Sequence, residues 1–161
     1  MWANCVQCPT NIILPFGMPR TDTFIGKTKG CGNTLLANKR AYLYVPTFRE
    51  PDEPSNFQIN YDWLDTQLTD DELFAVKVHM RGEKALKKFY KHIIEISSAE
   101  PSTPFLYDCD VVITDYSSII FDGYLLHKPA VLFEKQPGYV AYRGMYMKYP
   151  EEYCSKYATN E

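Results

Sequence analysis

Short apolar runs bounded by turn residues recur along this chain, at Ile12 to Phe16, Ala41 to Val45, Leu73 to Val78, Val111 to Ile113 and Ala130 to Phe133. Each is rich in Val, Ile, Leu, Tyr or Phe without strict polar alternation, as expected of strands buried on both faces of a parallel sheet. Between them lie stretches with helical spacing. Glu83 to Ile96 carries Leu86, Phe89, Tyr90, Ile93 and Ile94 three and four residues apart, with lysines on the other side, and predicts an amphipathic helix. Ser117 to Leu126 predicts a second helix, stopped by Lys128-Pro129 because the residue before proline avoids helical backbone. Strand followed by helix, repeated, is the pattern of a sheet with crossover connections.

The expected fold is therefore α/β, a single Rossmann-like domain over residues 1–161 built on a parallel sheet. A chain of this length buries roughly two thirds of the surface it exposes when unfolded, so it folds without metal or disulfide and leaves no room for a second full domain. Its apolar runs fall short of the roughly 20 residues a spanning helix needs, and no basic, hydrophobic leader opens it. With 17 Lys and Arg against 20 Asp and Glu, and no long basic block, a general nucleic-acid coat is excluded, whereas a local anion pocket is not. Five cysteines, an odd number, read as reduced thiols of a cytoplasmic protein. Cys5-x-x-Cys8 has metal-ligand or redox spacing, but Cys31, Cys109, Cys154 and the histidines supply no second pair, so no metal is expected.

Two segments read as loops, Gly26 to Asn33 and Arg49 to Asn60. The triplet Gly26-Lys27-Thr28 suggests a phosphate loop, but a Walker loop needs glycine five residues earlier, where Thr21 stands. The tail after Pro150 is polar, tyrosine-rich and uncapped, and is expected to be poorly ordered.

The most informative segment is Asp110 to Pro129, DVVITDYSSIIFDGYLLHKP. A strand runs through a polar turn, Thr114 to Ser118, into a helix, which places hydroxyls and unpaired amides at the carboxyl edge of the sheet, a setting suited to phosphate. Asp122, four residues after Ser118, falls one turn along the same helical face, where its carboxylate can accept a ligand hydroxyl. The same Asp115, Ser117 and Ser118 serve equally as helix caps, and on local pattern alone capping is the stronger reading. Asp115 would also repel an anion unless its charge is occupied or faces away. Two further strand ends carry cations. Arg49 follows the strand at Tyr42 to Val45 on a proline turn, and Lys77 and His79 close the strand from Phe74. In open α/β sheets such ends line one crevice, so three sequence-distant pieces are expected to converge. Taken singly, Arg49 reads as well as a solvated loop cation, and His79 as a satisfied histidine.

The successive segments GMPRTD at Gly17 to Asp22, YVPTFRE at Tyr44 to Glu50, Lys77-Val78-His79, TDYSSIIFD at Thr114 to Asp122 and YRGMY at Tyr142 to Tyr146 resemble the ordered motifs of the CDP-glycerol glycerophosphotransferases. These are teichoic-acid primases and polymerases of the bacterial cell envelope, with related capsule enzymes. The resemblance runs from about Ile12 to Tyr149, and the serine segment with the downstream Arg-Gly is its specific part. It implies the carboxyl-terminal, donor-binding half of a GT-B transferase with no cofactor. In it Arg49, Lys77, His79, Ser117 and Ser118 would contact the donor diphosphate, Asp122 a donor hydroxyl, and Pro19 with Arg20 the rim near the nucleotide. The implied reaction is attack by an acceptor hydroxyl on the phosphorus bearing glycerol, with release of CMP and with His79 stabilising or protonating the departing phosphate. The implied partners are CDP-glycerol or another CDP-alcohol and a polymer or lipid-linked acceptor. No nucleic acid is implied, and at most peripheral association with the inner face of the membrane.

The chain departs from the pattern in three places. Nothing in it corresponds to the amino-terminal half that carries the acceptor-side histidine, Met80 follows the strand-end histidine where a proline is common, and the segments that close the domain after Tyr149 are missing. The expectation is a donor-binding half that is incomplete on its own, as a fragment, a degenerate copy or the partner of a separate amino-terminal half. Two alternatives are a GT-B nucleotide-sugar glycosyltransferase domain and a non-catalytic orphan binding module.

Overall fold

The computed structural model describes residues 17–47, 59–78, 86–134 and 158–159. After a 3-10 helix at Pro19–Phe24 and a second at Leu35–Asn38, the chain forms β1 (Arg40–Tyr44), α1 (Tyr61–Gln67), β2 (Glu72–Lys77) and β3 (Ile93–Ile96). It continues with α2 (Thr103–Asp108), β4 (Val111–Thr114), α3 (Ile119–Leu125), β5 (Ala130–Glu134) and β6 (Ala158–Thr159). The strands lie in the order β3-β2-β1-β4-β5-β6, and every pairing is parallel. From β1 the chain moves outward to β2 and β3, then returns to the other side of β1 with β4, so the strand order reverses between β1 and β4.

The apolar runs become strands for the expected reason. Ala41, Leu43, Leu73 and Ala75 pack with Phe105 and Leu106 of α2, while the intervening Tyr44, Phe74 and Val76 join a second cluster against Tyr61 and Leu64 of α1. Successive residues point to opposite faces and both faces are covered, so no polar alternation is needed. α3 lies against β4, β5 and the first 3-10 helix. Its approach to β4 is close, since a methyl group on Gly123 would meet Val112 at 3.2 Å.

The helix expected over Glu83 to Ile96 does not form among residues 86–96. Ile93–Ile96 is strand β3, Phe89 is fully solvent-exposed, and His92 sits in a turn before the strand rather than on a helix. Three isoleucines in four residues favour a strand, and the open edge of β2 supplies backbone partners that outweigh a helical spacing with one face in water. α2 was not anticipated, although Ser102-Thr103-Pro104 is a helix-start signature with proline in the first turn. Two residues of the tail expected to lack order, Ala158–Thr159, pair with β5. The expected strand at Ile12 to Phe16, the pair Cys5 and Cys8, and most of the loop from Arg49 lie outside the described residues.

The loop from Gly26 to Asn33 folds around a carboxylate of the protein itself. Asp108, fully buried at the end of α2, accepts from the amides of Gly30 (2.8 Å), Gly32 (2.9 Å) and Thr34 (2.7 Å) and from the Thr34 hydroxyl (2.7 Å). Burial pushes the Asp108 carboxyl up, but the Thr34 hydroxyl and the three amides outweigh it and hold the group below its ordinary value. Gly32 has no room for a side chain, because a Cβ there would stand 1.9 Å from the Pro104 carbonyl oxygen. The amides a phosphate loop would turn toward a nucleotide are thus spent on Asp108.

Candidate active site

A cleft of about 720 Å³ opens over the carboxyl ends of β1 to β4. β1 contributes Val45, Pro46 and Thr47, β2 contributes Lys77 and Val78, the β3–α2 loop contributes Ser98 to Ser102, and the β4–α3 turn contributes Tyr116 to Ile119. The floor at the reversal of strand order is bonded across. Val45 donates its amide to Ile113 (2.8 Å), and the Thr114 hydroxyl donates to the Val45 carbonyl (2.6 Å).

Asp115 completes this seam. It is 1% exposed, and its Oδ1 accepts from the Thr47 amide (2.7 Å), the Thr47 hydroxyl (2.6 Å) and the Tyr116 amide (2.7 Å). It joins the exits of β1 and β4 and is not among the residues lining the cleft, so its carboxylate does not border the space an anion would enter. It does not cap α3. Ser118 takes the N-cap position without a side-chain cap bond, and Ser117 Oγ accepts from the Ile119 amide only at 3.4 Å. The serine hydroxyls are thus little engaged by the helix, and both border the cleft.

Lys77 is 4% exposed at the last position of β2. Its ammonium donates to the Ser97 carbonyl at 2.9 Å and weakly to Val78 at 3.5 Å. Burial lowers its pKa, and the nearby Glu100 carboxylate partly opposes that. A buried ammonium held by carbonyls retains attraction for a further acceptor, and the cleft is where such an acceptor can enter. The structure thus brings Lys77, Ser117 and Ser118 to one cleft.

Arg20 and Asp122 come together elsewhere. The guanidinium binds the carboxylate with both arms, Nη1 to Oδ2 at 2.8 Å and Nη2 to Oδ1 at 3.0 Å, joining the first 3-10 helix to α3. The Asp122 side chain is 10% exposed and that of Arg20 52%. Pro19 opens the 3-10 helix that carries Arg20. None of the three lines the cleft. Arg49, His79 and the Tyr142 to Tyr146 motif lie outside the described residues. Sequence reasoning missed the Ser98 to Ser102 wall, because the segment before it was assigned to a helix. No helix among the described residues is long and apolar enough to cross a membrane.

A parallel α/β sheet with a cleft lined by a lysine and serines at the reversal of its strand order defines a Rossmann-like domain of GT-B type. The teichoic acid poly(ribitol-phosphate) polymerase of Bacillus spizizenii is 30% identical over 153 residues, which cover 85% of this chain and 25% of that protein. The teichoic acid glycerol-phosphate primase of the same organism is 31% identical over 147 residues, 86% of this chain and 38% of that one. The structure of the wall teichoic acid polymerase TagF superposes with a TM-score of 0.73 at 25% identity, covering 94% of this chain and 41% of that chain. The family model of the CDP-glycerol:poly(glycerophosphate) glycerophosphotransferases matches residues 1–161, and the chain belongs to that family. It spans a quarter to two fifths of the length of these relatives.

Proposed function

We propose that this chain is the donor-binding half of a CDP-alcohol glycerophosphotransferase, with CDP-glycerol as the donor and a cell-envelope polymer or lipid-linked hydroxyl as the acceptor. The observation that carries the reading is the meeting of Lys77, Ser117 and Ser118, forty residues apart in sequence, around one cleft at the carboxyl edge of the sheet. The family membership and a TagF variant soaked with CDPG support the donor.

In this reading the Lys77 ammonium and the Ser117 and Ser118 hydroxyls hold the diphosphate, and Arg49 adds a planar pair of donors. Asp122 accepts a donor hydroxyl. Each of its oxygens gives one lone pair to Arg20 and keeps another, so the pair with Arg20 orients the carboxylate without closing it. Pro19 and Arg20 stand outside the cleft lining, where Arg20 acts on the ligand's surroundings by holding Asp122. The acceptor hydroxyl attacks the phosphorus that bears glycerol and gives its proton to a base on the acceptor side, the bond from that phosphorus to the bridging oxygen breaks, and CMP departs with that oxygen, stabilised or protonated by His79. The protein's share is positioning and charge neutralisation, which carry most of a phosphoryl transfer. The acceptor side is assigned to a second half beyond these residues.

Calorimetry with CDP-glycerol and with CDP tests the reading. Binding is expected, weakened about tenfold or more in Lys77→Met and in Ser117→Ala, the scale of one hydrogen bond to a charged group. Absence of heat with either ligand, or wild-type affinity in both variants, overturns it.

A further inference from the structure

In the donor-binding reading no role falls to the wall made by the β3–α2 loop. It carries Glu100, the one carboxylate among the described residues lining the cleft, with the hydroxyls of Ser98 and Ser102 on either side. A carboxylate accepts hydrogen bonds and cannot donate them, and beside a diphosphate it is repulsive unless it faces another part of the ligand. Glu100 acts on the Lys77 ammonium through space, without a hydrogen bond to it, since Lys77 donates to the Ser97 and Val78 carbonyls, so the Glu100 oxygens keep their accepting capacity. The loop has a defined shape: the Glu100 amide donates to the Ser97 carbonyl (3.1 Å) and the Ala99 amide to the Ser97 hydroxyl (3.3 Å).

The strand order sets the spacing. Ser117 and Ser118 follow β4, Lys77 ends β2, and Glu100 follows β3 at the outer edge. Neighbouring strands lie about 4.8 Å apart, so the ends of β4 and β3 that carry the serine turn and the Glu100 loop stand about 14 Å apart, with the end of β2 and its Lys77 between them. A ligand whose phosphates occupy the serine turn and the ammonium therefore presents its far end to Glu100. That end must offer hydrogen-bond donors.

We infer that Glu100 is the base-reading residue of the cleft and selects cytosine over uracil by accepting from the exocyclic amine. The inference rests on the donor-binding reading above. Cytosine offers an N4 amine where uracil offers the O4 carbonyl, so an acceptor-only group pairs with the first and repels the second. Ser98 and Ser102 donate to the remaining acceptors of the base edge. The apolar Ala99 and Pro101 line the same wall and cover the base face.

The full chain is titrated calorimetrically with CDP, UDP and inorganic pyrophosphate, and the titrations are repeated with Glu100→Gln and Glu100→Ala. Thermal melts of both variants check folding, which an exposed loop position leaves intact. The wild-type chain is expected to prefer CDP over UDP by about tenfold or more, the scale set by one hydrogen-bonded base contact. Glutamine, which donates as well as accepts, brings the two affinities within about threefold. Pyrophosphate binding is unchanged or slightly stronger. Equal wild-type affinity for CDP and UDP overturns the inference while leaving the donor reading standing. A uniform loss for CDP, UDP and pyrophosphate in Glu100→Gln also overturns it, because the residue then acts through Lys77. Failure of the wild-type chain to bind either nucleotide or pyrophosphate removes the donor reading itself, and this inference with it.

Discussion

Replacing Asp108 by asparagine tests whether the glycine loop is held by a carboxylate of the protein or could serve a ligand. The wild-type carboxylate takes four hydrogen bonds, two on Oδ1 from Gly30 and Gly32 and two on Oδ2 from Thr34. Asparagine keeps one oxygen and turns the other into a donor. In the better orientation, with the amide nitrogen toward Thr34, the Thr34 hydroxyl turns to accept and the Thr34 amide is left donor against donor at a site with no exposure. At about 1.5 kcal/mol for the lost bond, and roughly 0.5 kcal/mol for each of the other three as a charged acceptor gives way to a neutral group, the loss is about 3 kcal/mol. For a domain of this size that lowers Tm by roughly 6–12 °C. Urea unfolding followed by circular dichroism is the direct assay, and the midpoint should fall with an unchanged slope, as expected when native-state stability alone changes. A destabilisation below about 0.5 kcal/mol would refute the argument, because it would mean the loop keeps its shape without the carboxylate.

Two further outcomes concern the same framework. α3 ends with the His127 amide bonded to the Tyr124 carbonyl (2.9 Å) and the Lys128 amide to the Gly123 carbonyl (2.9 Å), with His127 at a φ of 55°. Glycine relieves that left-handed conformation, so His127→Gly should raise stability by about 0.5 kcal/mol in a thermal melt, and a lowered Tm would count against the strain. Acid unfolding should depend on Asp108 and Asp110. For Asp110, burial raises the carboxyl, but the Lys29 ammonium and the Ala41 amide outweigh it, so both groups sit below their ordinary value of 3.8. The folded chain then binds fewer protons than the unfolded one. Their contribution is complete above that ordinary value and is lost as pH falls through the depressed folded values. Urea midpoints measured across acid pH should show this loss, with a shallower fall in Asp108→Asn; an identical profile in the variant would remove Asp108 from the account.

The parts of the site that were legible in the sequence are those fixed by strand ends. An apolar run stopped by a polar turn marks the carboxyl edge whatever the neighbours are, so Lys77, Ser117 and Ser118 could be assigned to one edge before any coordinates. The role of Asp115 was open, because the same residue can cap a helix or bond across to another strand. The cross-strand bonds to Thr47 decide it, and they depend on β1 and β4 being adjacent. The Glu83 to Ile96 segment misled because spacing reports which residues share a helical face but not whether that face has anything to bury against. Phe89, the centre of the supposed stripe, stands in water.

What the chain's own residues determined is local: apolar runs long enough for strands, punctuation by glycine and proline, a net charge of −3 that leaves only a local anion site, and an ordered set of motifs that marks the family. Tertiary structure alone decided the pairings that reach across many residues. Examples are Asp108 inside the Gly30 to Thr34 turn, Arg20 against Asp122, and the Glu100 loop as a wall of the cleft. The physical reason is that a hydrogen bond or ion pair depends on distance in space, and strand order, which sets those distances, follows from how both faces of the sheet are buried.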